Sequence, residues 1–334
     1  MKIMKLTIVL LCLFANAGLA QNRTHNLRLE PENVHWGYYD ARVSPVLRVA
    51  SGDTVQIETM VVRGVERLKA AGVMDEEILE SVKVVDRAIT ERVGAHPLTG
   101  PIYVEGAERG DAIAVEIIEI EFLHPYGIAY FVPGFGTLPD DFPYTRFKLI
   151  RFDPRSRIAD FGSGITLKLK PFFGSIGVAP TLGRIPSGPP GPHTGNLDNK
   201  ELVAGSTLYL PVHASGALLS FGDGHAIQGD GEVSLTALET SLRGTVRISL
   251  HKGKRLNWPR AETPTHYITM GLNPDLDEAA KLATREMVEF LVSEKGLSRD
   301  DAYILCSLAV DLRVTQVVDG TKGIHAMIAK SIFD

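Results

Sequence analysis

The chain has 334 residues, 44% of them hydrophobic and 22% charged, with a formal net charge of −5 at neutral pH. Mild acidity with no block of like charge argues against nucleic acid as the partner and against a charged interaction tail. The chain is long enough to bury one large core, or a large domain with a smaller appendage.

Residues 1–20 read as a secretory signal peptide. Lys2 and Lys5 make a basic start, Leu6 to Phe14 an apolar run too short to span a bilayer, and Gly18 to Ala20 a small-residue cleavage site. The expected mature chain begins near Gln21, is secreted or periplasmic, and has no membrane attachment after cleavage. Cleavage moves the net charge from −5 to −7, with 33 basic and 40 acidic residues remaining. It also removes Cys12 and leaves Cys306 alone, so the core must suffice without an internal disulfide.

Val34 to Tyr39 reads as an aromatic strand start, in which His35 and Trp36 are candidates for a pocket wall. Ser51 to Glu58 is a Gly-Asp turn followed by an alternating strand. Arg109 to Ile118 repeats that pattern, Gly205 to Val212 is a looser copy, and Arg243 to Leu250 is a further strand of the same kind. Gly64 to Arg92 has acidic and apolar residues at roughly helical spacing and reads as a helix or a poorly ordered insertion. His96 precedes a strand that ends at Glu105, which is either a general base or a solvated edge glutamate. Tyr126 to Pro143 and Pro180 to Asn199 read as long loops, the second carrying His193, Asn196 and Asp198. A loop histidine such as His193 is expected in solvent.

Beyond residue 272 the spacing changes. Asp277 to Lys295 predicts a helix capped by Asp277, with Ala280, Leu282, Met287, Leu291 and Val292 on its apolar face and Gly296 at its end. A second helix follows Ser298 and runs to about Leu312, and Arg313 to Val318 returns to strand. Together these predict a mainly β (α+β) protein: a β-sandwich or jelly-roll-like core with a small C-terminal helical hairpin lobe. The expected divisions are 1–20 signal, 21–272 β-rich core, and 273–334 hairpin with its closing strand.

The richest chemistry lies in Phe221 to Glu232, where Asp223, His225, Gln228, Asp230 and Glu232 are interleaved with four glycines. Small residues let backbone or substrate approach closely. Asp223 and His225 are two apart, so in extended backbone they project from one face and can share a metal ion; a plain turn with acids capping amides is the competing reading. Carboxylate with imidazole suits Zn²⁺ or another first-row ion, whereas carboxylates alone suit Ca²⁺ or Mg²⁺. Asn196 and Asp198 share the two-residue spacing and read as further ligands, as a clamp for a substrate amide, or as an Asx-turn. Gly-x-Ser-x-Gly is absent, Ser175 and Ser187 qualify as nucleophiles by type only, and Cys306 reads as a buried structural thiol. The glycines of 222–231 precede strand-like Val233 to Leu238 rather than a helix, which excludes a dinucleotide fingerprint.

Five segments carry a resemblance: His96 to Ala107, Gly195 to Asp198, Gly205 to Val212, Gly222 to Glu232 and Ala309 to Gly320. In this order they resemble the acetamidase/formamidase family of amide hydrolases. Two positions depart from its pattern: His193-Thr194 stands where paired glycines are common, and Gly224 where alanine is usual. The resemblance implies a β-rich fold, hydrolysis of a short linear amide to carboxylate and ammonia, and a homo-oligomer, a dimer or higher. It also implies that Asn196, Asp198, Asp223, His225, Gln228 and Glu232 line the site. The resulting expectation is a metal-assisted amidase. Asp198, Asp223 and His225 hold Zn²⁺, with Ca²⁺ the alternative; Glu232 or Glu105 moves protons; Asn196 or Gln228 orients the amide. The competing expectation is a secreted ligand- or metal-binding module on an amidase-like fold, without turnover.

Overall fold

Strict alternation builds the architecture. Along the strand Leu242–His251, Leu242, Val246 and Ile248 are buried while Arg243 and Arg247 face outward. This strand pairs antiparallel with Ala112–Phe122 on one side and Thr54–Glu58 on the other. In the computed structural model, which describes residues 22–333, it lies inside a nine-stranded sheet running from Thr24–Leu27 to Val310–Gln316. The expected leader and Cys12 fall outside the described residues.

A second, eleven-stranded sheet has the strand Leu219–His225 near its centre, flanked by Phe172–Gly177 and Pro97–Val104. Val55, Val115, Leu208 and Ile248 of the first sheet share one apolar core with Ile102, Ile176, Leu219 and Phe221 of the second. Two sheets closed over one core make the expected sandwich. The glycine-spaced stretch therefore starts not as a surface turn but as a strand, every residue of which is buried.

The expected insertion at 64–92 forms α1 (Gly64–Ala70) and α2 (Glu80–Ala88). Leu68, Val82 and Val85 pack with Tyr126, Ile128 and Tyr130 as a second core. The two expected long loops are partly strand: Tyr126–Phe131 belongs to the large sheet, and Thr194–Asn196 pairs with Phe172–Gly177. Val233 to Leu238 is not a strand. Glu232 and Leu235 adopt positive φ, the amide of Leu235 donates to the carbonyl of Glu232, and strand resumes only at Glu239–Thr240.

At the C-terminal end, α3 (Leu276–Lys295) and α4 (Arg299–Ala309) pack on the first sheet. The cap of α3 is Asp275, not Asp277: its carboxylate accepts from the amides of Asp277 and Glu278. Gly296 ends α3 with positive φ and Ser298 caps α4, as the spacing predicts. Close approach explains Gly271, where a Cβ would lie 2.0 Å from the carbonyl oxygen of Ala279 in α3. Cys306 is buried in α4, and burial raises its thiol pKa. Strands Val310–Gln316 and Lys322–Ala329 then extend the nine-stranded sheet.

Candidate active site

His225 ends the buried strand Leu219–His225, opposite Glu239 in register. Its Nε2 lies 3.1 Å from Asp223 Oδ2, 3.3 Å from Glu239 Oε1 and 4.0 Å from Glu232 Oε1. Its Nδ1 lies 3.0 Å from Gln228 Oε1 and 3.9 Å from Asp198 Oδ1. The Gln228 amide nitrogen donates to the carbonyl of Asp198 at 2.8 Å, which turns the amide oxygen toward His225. That oxygen can only accept, so Nδ1 carries a hydrogen and Nε2 is the atom presented to the acids.

Asn196 braces the other side. Its Nδ2 donates to Asp198 Oδ2 at 2.6 Å and to Asp319 Oδ2 at 3.1 Å, and its Oδ1 accepts from the Ser175 hydroxyl. Asn196 and Gln228 line the centre as supporting residues in this structure. Both N–H donors of each are taken up inside the protein, and what they orient is Asp198, Asp319 and His225.

The floor is set by Gly174. A Cβ there would sit 2.4 Å from Asp198 Oδ1 and 2.5 Å from Asp223 Oδ2, so no other residue admits both carboxylates. Asp198, Asp223 and Glu232 all adopt positive φ, between 48° and 54°. Clustered left-handed residues at one site mark a backbone held for side-chain placement rather than for local comfort.

Five carboxylates thus meet: Asp198, Asp223, Glu232, Glu239 and Asp319. Among the described residues none of them pairs with lysine or arginine; the imidazoles beside them are His225 and, at 3.9 Å from Asp223, His96. Burial, reinforced by the neighbouring acids, holds Asp198, Glu232 and Glu239 well above the usual carboxylate range. Burial also pushes Asp319 up to about 6. Burial opposes charge on Asp223 and on His225, yet their mutual attraction outweighs it. Asp223 stays below its usual range and His225 rises to about 9.

The donor set fits a divalent cation. Asp198, Asp223 and His225 offer ligand atoms within 4.8 Å of one another, as do His225, Glu232 and Glu239, and Asp198, Glu232 and Asp319. Asp198 Oδ1 and Glu239 Oε2 are buried without any hydrogen-bond partner. Orphaned carboxylate oxygens aimed into an acid-rich centre are what a cation satisfies. A 460 Å³ pocket opens onto the cluster, with Val132, Phe135 and Leu235 as apolar walls. A larger groove of 650 Å³ along Asn26–Pro31 is lined by the Glu58–Arg243 ion pair, Arg28 and Glu30, with no imidazole among its lining residues.

Glu105 is not brought to this site. The strand Leu47–Val49 pairs with Pro97–Val104 so that Glu105 points outward, 2.7 Å from Arg48, with half its side chain exposed. His193 is a second correction: it is buried against the edge of Tyr39, not solvated, and burial lowers it to about 4. Asp230 ion-pairs with Lys200 at 2.9 Å, apart from the cluster. Sequence reasoning missed the roles of Glu239, Asp319, Gly174 and His96. Asp319 did lie inside a segment carrying the resemblance. Glu239 sits on a two-residue strand with no motif around it.

Fold and site define a mainly β protein with a buried carboxylate–imidazole centre. The acetamidase/formamidase family pattern matches residues 22–185 and 184–334, and the chain belongs to that family. The acetamidase of Mycolicibacterium smegmatis is 28% identical over 219 residues, 47% of this chain. The chain spans between 52% and 61% of the lengths of the curated relatives it matches. Among solved structures, an acetamidase from Bacillus halodurans is 35% identical with a TM-score of 0.78, covering 92% of this chain and 98% of that one. An acetamidase from Yersinia enterocolitica is 31% identical with a TM-score of 0.82, covering 95% and 96%.

Proposed function

We propose that the protein is an amidase that hydrolyses the carbon–nitrogen bond of a small linear amide, giving a carboxylate and ammonia, with a divalent cation in its centre. The observation that carries this reading is the convergence of four carboxylates on His225, with Asp319 beside Asp198 and Glu232 and two carboxylate oxygens orphaned, at the base of a pocket. The acetamidase names of its relatives supply the reaction class.

Asp198, Asp223 and His225 would hold the ion, and the imidazole favours Zn²⁺ over Ca²⁺. When bound, such an ion supplies Lewis acidity and lowers the pKa of water. The chain's own groups manage the protons. Glu232 faces the pocket with its pKa raised, so it can take a proton from the attacking water and deliver it to the departing nitrogen. The new C–O bond forms first, making the carbonyl carbon tetrahedral; the C–N bond breaks once the nitrogen has received that proton, and it leaves as ammonia. Asp319 and Glu239 buffer Glu232, and Gln228 keeps Nε2 of His225 turned inward.

Ammonia release from a panel of short amides, with metal analysis of the same protein, tests the reading. Turnover lost on chelation and restored by Zn²⁺ is the expected result. Full activity after complete chelation would sink the metal part, and bound metal with no amide turned over would leave a binding module. We further propose an exported protein that forms a homo-oligomer, tested by N-terminal sequencing of the exported form and by light scattering.

A further inference from the structure

The site pocket has a second chemical character besides its acids. Arg63 and Arg67 of the α1 region line it together with Tyr130. Neither arginine makes an ion pair among the described residues. Arg63 donates only to the carbonyl of Gly94, at 3.1 Å, and Arg67 lies over the rings of Tyr130 and Phe147 at 5.2 and 5.5 Å. Arg48, Arg151, Arg243 and Arg247, by contrast, each hold a glutamate within 2.7 Å.

Arg63 also occupies a backbone position that suits it poorly. Its φ is 62°, a left-handed conformation that glycine adopts without cost and a long side chain does not. Local geometry therefore gives no reason for arginine there, and the guanidinium at the pocket is what the residue contributes. The volume agrees. A pocket of 460 Å³ lies within the range of about 300–1,000 Å³ typical of sites that enclose larger ligands. Formamide or acetamide leaves most of it empty.

We infer that Arg63 and Arg67 form an anion subsite, and that the preferred substrate is an amide bearing a carboxylate beyond a short apolar spacer. The amide lies at the acid cluster, the spacer against Val132 and Leu235, and the carboxylate between the two guanidinium groups. Guanidinium recognises carboxylate by charge-assisted, planar hydrogen bonding. The class of reaction that supplies such a substrate is the mono-amidation of a dicarboxylic acid, or partial hydrolysis of its diamide, and the product is the dicarboxylate itself.

The inference rests on the amidase reading, and the test separates the two. The full chain is assayed with succinamate, glutaramate and the methyl ester of each, which has the same reach without the charge. The expected ratio of kcat/KM, acid over ester, is at least about tenfold for the better-fitting length, carried in KM. Arg63→Gly relieves the strained φ and so keeps the fold, yet it should collapse the ratio toward one. Arg67→Glu should shift preference to an amide bearing a terminal ammonium group, an inversion that a merely structural role would not produce. A ratio of one in the unaltered protein, or a ratio that survives both substitutions, overturns the subsite. If no amide turns over, the amidase reading fails and the subsite is read by calorimetry with glutarate against its monomethyl ester. Tighter glutarate binding that is lost in Arg63→Gly supports it, and equal or absent binding overturns it.

Discussion

Glu105 and Glu232 are both glutamates beside a glycine at the border of a β segment, and they end in opposite settings. Glu105 faces solvent and takes Arg48 at 2.7 Å, which holds its carboxyl below the usual range. Glu232 is buried among four other carboxylates without lysine or arginine, and its pKa is raised. What separates them is where the protein places its cations. The outer face of the nine-stranded sheet neutralises acids one by one, as in Arg247–Glu116. The site neutralises none of its acids that way, so charge balance is left to imidazole, to shared protons or to a bound ion. Isolated exposed pairs contribute little to stability, whereas an uncompensated buried acid is costly. The cluster is therefore where function outweighs stability.

The sharpest way to break this contrast is Gly174→Ala. The new methyl would lie on Asp198 and Asp223, 2.4 and 2.5 Å from their oxygens, and should lower kcat at least about a hundredfold through misplacement alone. Steady-state ammonia release and metal content measure it, and retention of both would refute the floor assigned to Gly174. Next, Gln228→Ala frees the His225 ring and should cost about 10–100-fold in metal affinity, read by competition with a chelator.

A third expectation concerns acid stability. Burial lowers His124 and His325 to about 4, from an ordinary value of 6.5. An unfolded chain binds these protons first, so the stability from keeping both rings neutral is full above about pH 6.5 and lost as pH falls toward 4. Each contributes a slope of about 1.4 kcal/mol per pH unit in that window, testable by urea denaturation at stepped pH. A flat profile there would show that the rings are already charged. The smallest effect belongs to the surface: Glu105→Gln should change stability by less than about 0.5 kcal/mol and leave turnover intact. A large loss of activity would return Glu105 to the site.

The parts of this site that showed in the sequence are those held by local spacing. Asp223 and His225 sit two apart on one strand, and Asn196 and Asp198 two apart on another segment, so pattern alone proposed them. Glu239 enters through cross-strand register with His225, and Asp319 through a bridge between Gly231 and Gln316. Neither depends on its sequence neighbours. Gly174 looked like any strand glycine until two carboxylates converged on it. Glu105 misled because a glutamate before glycine at a strand end looks the same whichever way the sheet turns it. Much of the fold was legible for the converse reason: turn residues and period-two apolar runs are local signals, and Val233 to Leu238 failed where Leu235, at positive φ, broke the run.

Asp319 lies on the turn between the last two strands of the sheet, 123 positions from the Asn196 amide that holds it, and His96 lies earlier still. The centre is thus drawn from segments scattered over more than two hundred positions, and its last acid arrives only when the final hairpin docks. A chain halted or clipped before residue 310 would retain Asp198, Asp223 and His225 yet lack Asp319, one of the three side chains that hold Asn196. On the amidase reading, catalytic competence would then report on completion of folding itself, and ammonia release would read out how far the molecule has assembled.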